Sequence, residues 1–137
     1  MKYIITLFFV SFATCLQAQS IEFSAKASKQ VVAADEAFKI QYTVNVEAPF
    51  TAPDLKDFKL LSGPSTSSYS QINIVGGQMK QTYTLTYTLV IRPKKEGEFT
   101  IPPASISYNG RNYKSNTLKI TVTAPTGNNP VDNNANN

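Results

Sequence analysis

Histidine and tryptophan are absent from the chain, and cysteine occurs once, at Cys15. Without histidine, and with its one thiol close to the N-terminus, the sequence offers no Ser-His-Asp or Cys-His pair and no zinc cluster of the usual kinds. The six glycines are scattered as turn residues, so no phosphate-cradling loop is present. Charge is sparse at 16% of residues with a formal balance of +4, and the basic residues stand singly among threonines and glutamines. A nucleic-acid surface would cluster them on a stripe, so nucleic acid is not an expected partner. Nowhere does an apolar period of 3.6 persist, which argues against any helix with a buried face.

The acidic residues give little chemistry to add. Asp35/Glu36, Asp54/Asp57 and Glu96/Glu98 are the close pairs. All sit in or beside expected turns, where carboxylates serve solubility and local hydrogen bonding. No catalytic residue, cofactor site or metal site is therefore assigned. A calcium ion between loops would need about six oxygen ligands, of which Asp35, Glu36, Asp54 and Asp57 could supply only part.

What is present is a period of two. From Met79 to Ile91 the odd positions are Met79, Gln81, Tyr83, Leu85, Tyr87, Leu89 and Ile91, while Thr82, Thr84, Thr86 and Thr88 fall between them. Only a strand separates these sets onto opposite faces, and threonine and tyrosine suit a pleated, half-buried surface. This stretch reads as the central strand of an antiparallel sheet with one wet face. Pro93 ends it, Lys94-Lys95-Glu96-Gly97 turns the chain, and Phe99 and Ile101 return to the core before Pro102-Pro103.

The same alternation marks Ile21–Ser28 and Phe38–Glu47, with a turn at Ala33–Glu36 between them. Ala48–Asp57, holding Pro49 and Pro53, reads as a loop, and Phe58–Leu60 as a short strand terminated by Gly63-Pro64. Ser65–Ile74 leads into a hairpin at Gly76-Gly77, and Asn109-Gly110 is the strongest hairpin signal of the chain. Leu118, Ile120 and Val122 close the sheet. The expected fold is all-β, an immunoglobulin-like antiparallel β-sandwich of seven to nine strands. Tyr42, Tyr83, Tyr87 and Tyr108 share the apolar faces; Tyr69 and Tyr113 lie off that parity or near turns and are candidates for exposed contacts.

Both ends read differently. Residues 1–18 form a signal peptide: Lys2 supplies the positive start and Tyr3–Leu16 the apolar run, with cleavage expected before Gln19. A competing reading makes Cys15 a lipid-attachment site, but Phe12-Ala13-Thr14 fits that signal poorly. Residues 19–124 form the domain, and 125–137, PTGNNPVDNNANN, form an Asn-rich tail or linker too polar to order itself. The mature chain is thus expected to lack a transmembrane helix and to reside in the periplasm or cell envelope.

Two segments carry a family resemblance: Asp54-Leu55-Lys56-Asp57-Phe58-Lys59-Leu60-Leu61-Ser62-Gly63-Pro64-Ser65, and Pro93-Lys94-Lys95-Glu96-Gly97-Glu98-Phe99-Thr100-Ile101-Pro102-Pro103-Ala104. With Phe23-Ser24-Ala25, Phe38–Asn45, Gly110, Tyr113 and Leu118–Val122, they make the chain resemble the N-terminal region of BatD, the oxygen-tolerance family. The resemblance implies a non-enzymatic, exported interaction module, associated with von Willebrand factor A-type proteins and a MoxR-type ATPase in bacterial oxygen or stress tolerance. It carries over no catalytic residue. The alternative is a carbohydrate- or surface-binding accessory sandwich, which calls for an exposed aromatic row on a sheet face.

An open sandwich leaves edge strands whose backbone can pair with a partner. Ile21–Ser28 and Ser65–Ile74 are the expected edges. No charge occurs from Ser62 to Gln78 and no proline after Pro64, so the second lacks the usual guards. Tyr69, Gln71 and Asn73 are the candidate partner-binding residues, with Gln71 and Asn73 facing outward and Ile72 facing the core. The domain alone is expected to be monomeric.

Overall fold

A computed structural model describes residues 19–127. Among them the chain forms ten strands in three sheets: β1 (Phe23–Ala27), β2 (Val31–Ala33), β3 (Phe38–Val44), β4 (Phe50–Thr51), β5 (Phe58–Val75), β6 (Gln78–Pro93), β7 (Gly97–Ile101), β8 (Ser105–Tyr108), β9 (Arg111–Lys114) and β10 (Leu118–Thr123). The all-β sandwich agrees with the period-two reading. The strand number exceeds the expected seven to nine because two residues of the Ala48–Asp57 loop pair as β4 and because the second layer is cut in two.

The first layer is an antiparallel sheet in the order β1-β3-β6-β5. Its central register sets Tyr42 opposite Tyr87, Ile40 opposite Leu89 and Phe38 opposite Ile91. Cross-strand partners share a face, so this register gathers the apolar side chains of both strands on the inner side. Thr43 opposite Thr86 and Gln41 opposite Thr88 form the outer side.

The second layer consists of β2-β10-β7, in which β2 runs parallel to β10, and β4-β8-β9. Sequence shows why these are two sheets. β7 and β8 would be one strand, and β9 and β10 its hairpin return, with Asn109 and Gly110 at φ 49° and 73° making the turn. Pro102-Pro103 interrupts this ribbon, because two successive residues without an N–H cannot hold a ladder. Opposite the break, the Ser115 N–H donates to the Ala104 carbonyl (3.0 Å) and the Ala104 N–H donates to Ser115 Oγ (3.0 Å). Ser115 is accordingly buried, its hydroxyl standing in for the missing backbone partner.

Two apolar clusters fill the space between the layers. One joins Ile40, Tyr42, Leu89 and Ile91 to Val32, Ile101, Ile120 and Val122; the other joins Val44, Val46, Ala48 and Leu85 to Ile106. Phe50 touches both and stacks on Tyr87 with centroids 4.5 Å apart. The Tyr87 hydroxyl donates to the Ala48 carbonyl at 2.7 Å, as an aromatic with one wet end should. Tyr42 is fully buried instead, and its hydroxyl has no hydrogen-bond partner among the described residues.

One boundary is corrected. Gly63-Pro64 does not end the Phe58 strand; β5 runs on to Val75 through register shifts at Leu60/Ser62 and Ser62/Ser65. A proline is tolerated there because β5 is an edge strand and the bulges absorb it. Gly63 has φ 106°, and a Cβ on it would lie 2.5 Å from the Thr88 carbonyl oxygen, so only glycine permits this close approach to β6.

Leu89→Ala, at the centre of the larger cluster, is expected to cost about 2–5 kcal/mol in urea unfolding. Thr86→Ser, on the outer face, should change stability by under about 0.5 kcal/mol. Equal losses would mean that the faces are misassigned.

Burial pushes the Tyr42 phenol up to about 12. The fold keeps it protonated where the unfolded chain would ionise near the ordinary value of about 10. Its contribution is therefore complete below pH ~10 and is lost as pH rises through about 12. Tyr42→Phe should flatten that alkaline decline and, by removing an unpaired buried hydroxyl, raise stability at neutral pH by about 1 kcal/mol. Urea midpoints at pH 8 and pH 11 for both proteins check the sign.

Candidate interaction edge

The two longest strands, β5 and β6, outrun the layer beneath them. Pairing extends without a break from Ser65 opposite Thr88 to Val75 opposite Gln78. Gly76 and Gly77, at φ 60° and 77°, close it with a two-residue turn of the kind whose twist matches a hairpin. Burial stops at Leu85: every residue from Lys59 to Thr82 is exposed. The distal part of the hairpin is thus an arm with solvent on both faces, about 17 Å long from Ser70 to Val75.

Register sorts its side chains. Ile72 opposite Gln81 and Ile74 opposite Met79 continue the inner face, the one that carries Leu85 and Leu89 nearer the body. Asn73 opposite Lys80, Gln71 opposite Thr82 and Tyr69 opposite Thr84 continue the outer face. Gln71 and Asn73 face outward as expected, and Tyr69 joins them. Ile72 is the correction. It lies on the core-side face but is 57% exposed, because the second layer ends before reaching it. Ile74 and Met79 are barer still, at 73% and 72%. Parity along a strand reports which face a residue takes; it does not report where the opposing layer stops.

The outer row is tied together along β5. Gln71 Nε2 donates to Asn73 Oδ1 at 3.0 Å, and the Tyr69 hydroxyl approaches Gln71 Oε1 at 3.4 Å. These contacts hold the three candidate residues in one line beside Thr82 and Thr84. Tyr113, the other candidate for an exposed contact, is half-buried against the smaller cluster.

β1 and β5 are the two edges of the first sheet, where the sequence placed them, but they are not equivalent. At β1 the Ala25 N–H donates to Asn116 Oδ1 (2.8 Å), and Asn116 Nδ2 donates to the Ala25 carbonyl (3.1 Å). A side-chain amide so placed imitates a strand partner and closes the edge at its middle. Asn45 does similar service at the N-terminal end, accepting from the Glu22 N–H at 3.0 Å and donating to the Ser20 carbonyl at 2.8 Å. No such substitute meets the β5 backbone from Ser65 to Val75 among the described residues. Nothing local in the sequence marks Asn116, since an asparagine in a loop does not announce which strand it faces.

The acidic residues are not gathered. Glu36 pairs with Lys29, whose ammonium holds the carboxyl below its usual range. Asp35 accepts from the Thr126 N–H at 3.1 Å, and that bond lowers its carboxyl likewise. Asp54 and Asp57 line a shallow cleft of about 190 Å³ with Phe58 and Thr100. Among the described residues no three acidic, histidine or cysteine side chains converge as a metal site. No helix there is long and apolar enough to cross a membrane.

The model of the BatD DUF11 like domain matches residues 25–122, a stretch that spans both layers and contains the whole arm. The chain belongs to the BatD family. No curated protein matches it. The BatD match starts within β1 and ends within β10, so the arm is internal to the BatD domain and not an addition at its margin.

Because the arm's inner face covers nothing, Ile72→Thr and Ile74→Thr should each shift the urea midpoint by the equivalent of less than about 0.5 kcal/mol. Losses on the scale of Leu89→Ala would show that the arm folds back onto the body.

Proposed function

We propose that this BatD-family chain is a non-enzymatic, exported interaction module that engages protein partners through the β5 edge of its arm. The observation that carries the reading is the asymmetry of the first sheet: one edge is closed by Asn116, and the other is open and, from Ser65 to Val75, uncharged. Exposed edges normally carry lysine, proline or a cover, because an open ladder recruits other strands. An edge that dispenses with these over eleven residues is suited to strand addition, in which backbone bonds supply affinity and alternate side chains supply selectivity.

The composition of the outer face supports the same reading. Ser24, Thr43, Thr86 and Ser67 lie in one row across the four strands, and Lys26, Gln41, Thr88 and Ser65 in the next. Among the described residues Tyr69 is the one aromatic on that face, whereas a sugar-binding sandwich would stack its ligand on several. The family resemblance names the class of partner: von Willebrand factor A-type envelope proteins acting with a MoxR-type ATPase in oxygen or stress tolerance. Residues 1–18, which bear on export, and most of the Asn-rich tail lie outside the described residues.

The double substitution Gln71→Lys with Asn73→Lys places two guards on the outer row while leaving the buried clusters intact. It should leave urea unfolding unchanged and reduce recovery of von Willebrand factor A-type proteins in pull-downs from the native envelope by at least tenfold. Undiminished recovery by the folded double variant would refute the role of the edge.

A further inference from the structure

The two-residue turn fixes which backbone groups of β5 are free. Residues flanking such a turn exchange both hydrogen bonds, so Val75–Gln78 is a bonded pair, and bonded and non-bonded pairs alternate from there. Asn73, Gln71, Tyr69 and Ser67 therefore point their N–H and C=O groups at β6. Thr66, Ser68, Ser70, Ile72 and Ile74 point theirs away from the sheet. The free groups thus belong to the residues whose side chains lie on the inner face.

We infer that the occupant of this edge is a second copy of the chain, paired β5 to β5 in antiparallel sense about a two-fold axis at Ser70. The register is self-complementary. Ser70 would face Ser70 of the second copy, Ser68 would face Ile72, and Thr66 would face Ile74, each residue presenting the outward groups a ladder requires. On the inner face this sets the bare Ile74 of one copy beside Thr66 of the other. Thr66 borders an open hollow of about 360 Å³ lined by Glu47, Ala48, Pro49, Leu85 and Tyr87. The exposed tip of each arm thereby gains the apolar wall that its own body does not reach. On the outer face Tyr69 of one copy meets Gln71 of the other, and Asn73 meets Ser67, so polar groups face polar groups.

Charge permits the approach. A chain of net charge +4 resists self-association over most of its surface, but Ser62–Gln78 carries no charge. Closure then limits it to two. The pairing uses both β5 edges and makes one eight-stranded sheet, whose outer strands are the two β1 edges that Asn116 blocks at Ala25. An isologous contact of this kind ends in a dimer and not in a fibre.

This inference rests on the β5 edge proposed above as the interaction surface, but not on the identity of the envelope partner. A second copy and an envelope strand would use the same backbone groups, so the dimer is the form the chain takes until such a partner displaces it. The sequence alone pointed to a monomer; the arm is what argues otherwise. Sedimentation velocity of the full chain from 1 to 200 μM should show a concentration-dependent shift from monomer to dimer. In a Cys15→Ser background, Ser70→Cys should be joined to its twin by a short bis-maleimide, since paired Cα atoms lie about 5.5 Å apart. Thr66→Cys, equally exposed, should not be joined, because two such positions would be about 26 Å apart along the ladder. Ile74→Lys should abolish the dimer and, at 1 μM where the parent chain is also monomeric, leave urea unfolding unaltered. The inference is overturned by a chain that stays monomeric throughout, whether its arm is covered by its own tail or by another protein. It is equally overturned by crosslinking of both cysteine variants alike, or by a dimer that survives Ile74→Lys. A monomeric chain whose double-lysine variant still loses envelope partners would sink the dimer and retain the interaction module.

Discussion

The pairing of β3 with β6 is the constraint from which the rest of the domain follows. Seven consecutive pairs, Phe38 with Ile91 through Val44 with Leu85, place two apolar rows on one face and a threonine-rich carpet on the other. A slip of one residue would bring Leu89 and Ile91 to the solvent side and Thr88 and Val90 inward, which no adjustment of the second layer could repair. Everything else is arranged around that face. The Tyr42 and Tyr87 rings flank Phe50 between the two clusters, and the second layer lies over it in two pieces because Pro102-Pro103 allows no single sheet.

Side chains standing in for backbone recur where regular pairing fails. Ser115 completes the ladder across the proline break, and Asn116, its neighbour, occupies the free groups of Ala25 on the opposite layer. Two adjacent residues in one short connection thus repair an interruption in one sheet and close the edge of another. The cost of an unpaired buried backbone group explains why such substitutes are needed. Tyr42 is the exception, a buried hydroxyl with no counterpart among the described residues.

Much of this was legible beforehand. Alternation in Met79–Ile91 and Phe38–Glu47 told which residues share a face, Asn109-Gly110 told where a hairpin turns, and the absence of charge from Ser62 to Gln78 marked an edge unlike others. The hidden part depended on lengths. Gly63-Pro64 looked like a terminator, since nothing local shows that paired bulges will carry a strand past a proline. Ile72 looked like a core residue, since the pattern that places it on the inner face is blind to the extent of the layer opposite. Asn116 and Ser115 were silent for a related reason: their partners lie 91 and 11 residues away, and no local pattern records such a meeting.

β6 belongs to both the arm and the body, and this has a mechanical consequence. The strand is about 50 Å long, running from the turn at the arm's tip to Pro93. A pull on the tip along the arm is shared by β5 and β6 and passes through β6 into its contact with β3. There the load lies parallel to the strands, so the seven pairs resist in shear and must give way together instead of opening one after another. A domain that grips a neighbour by its arm would therefore bear tension through the β3–β6 seam, without routing force through the divided second layer.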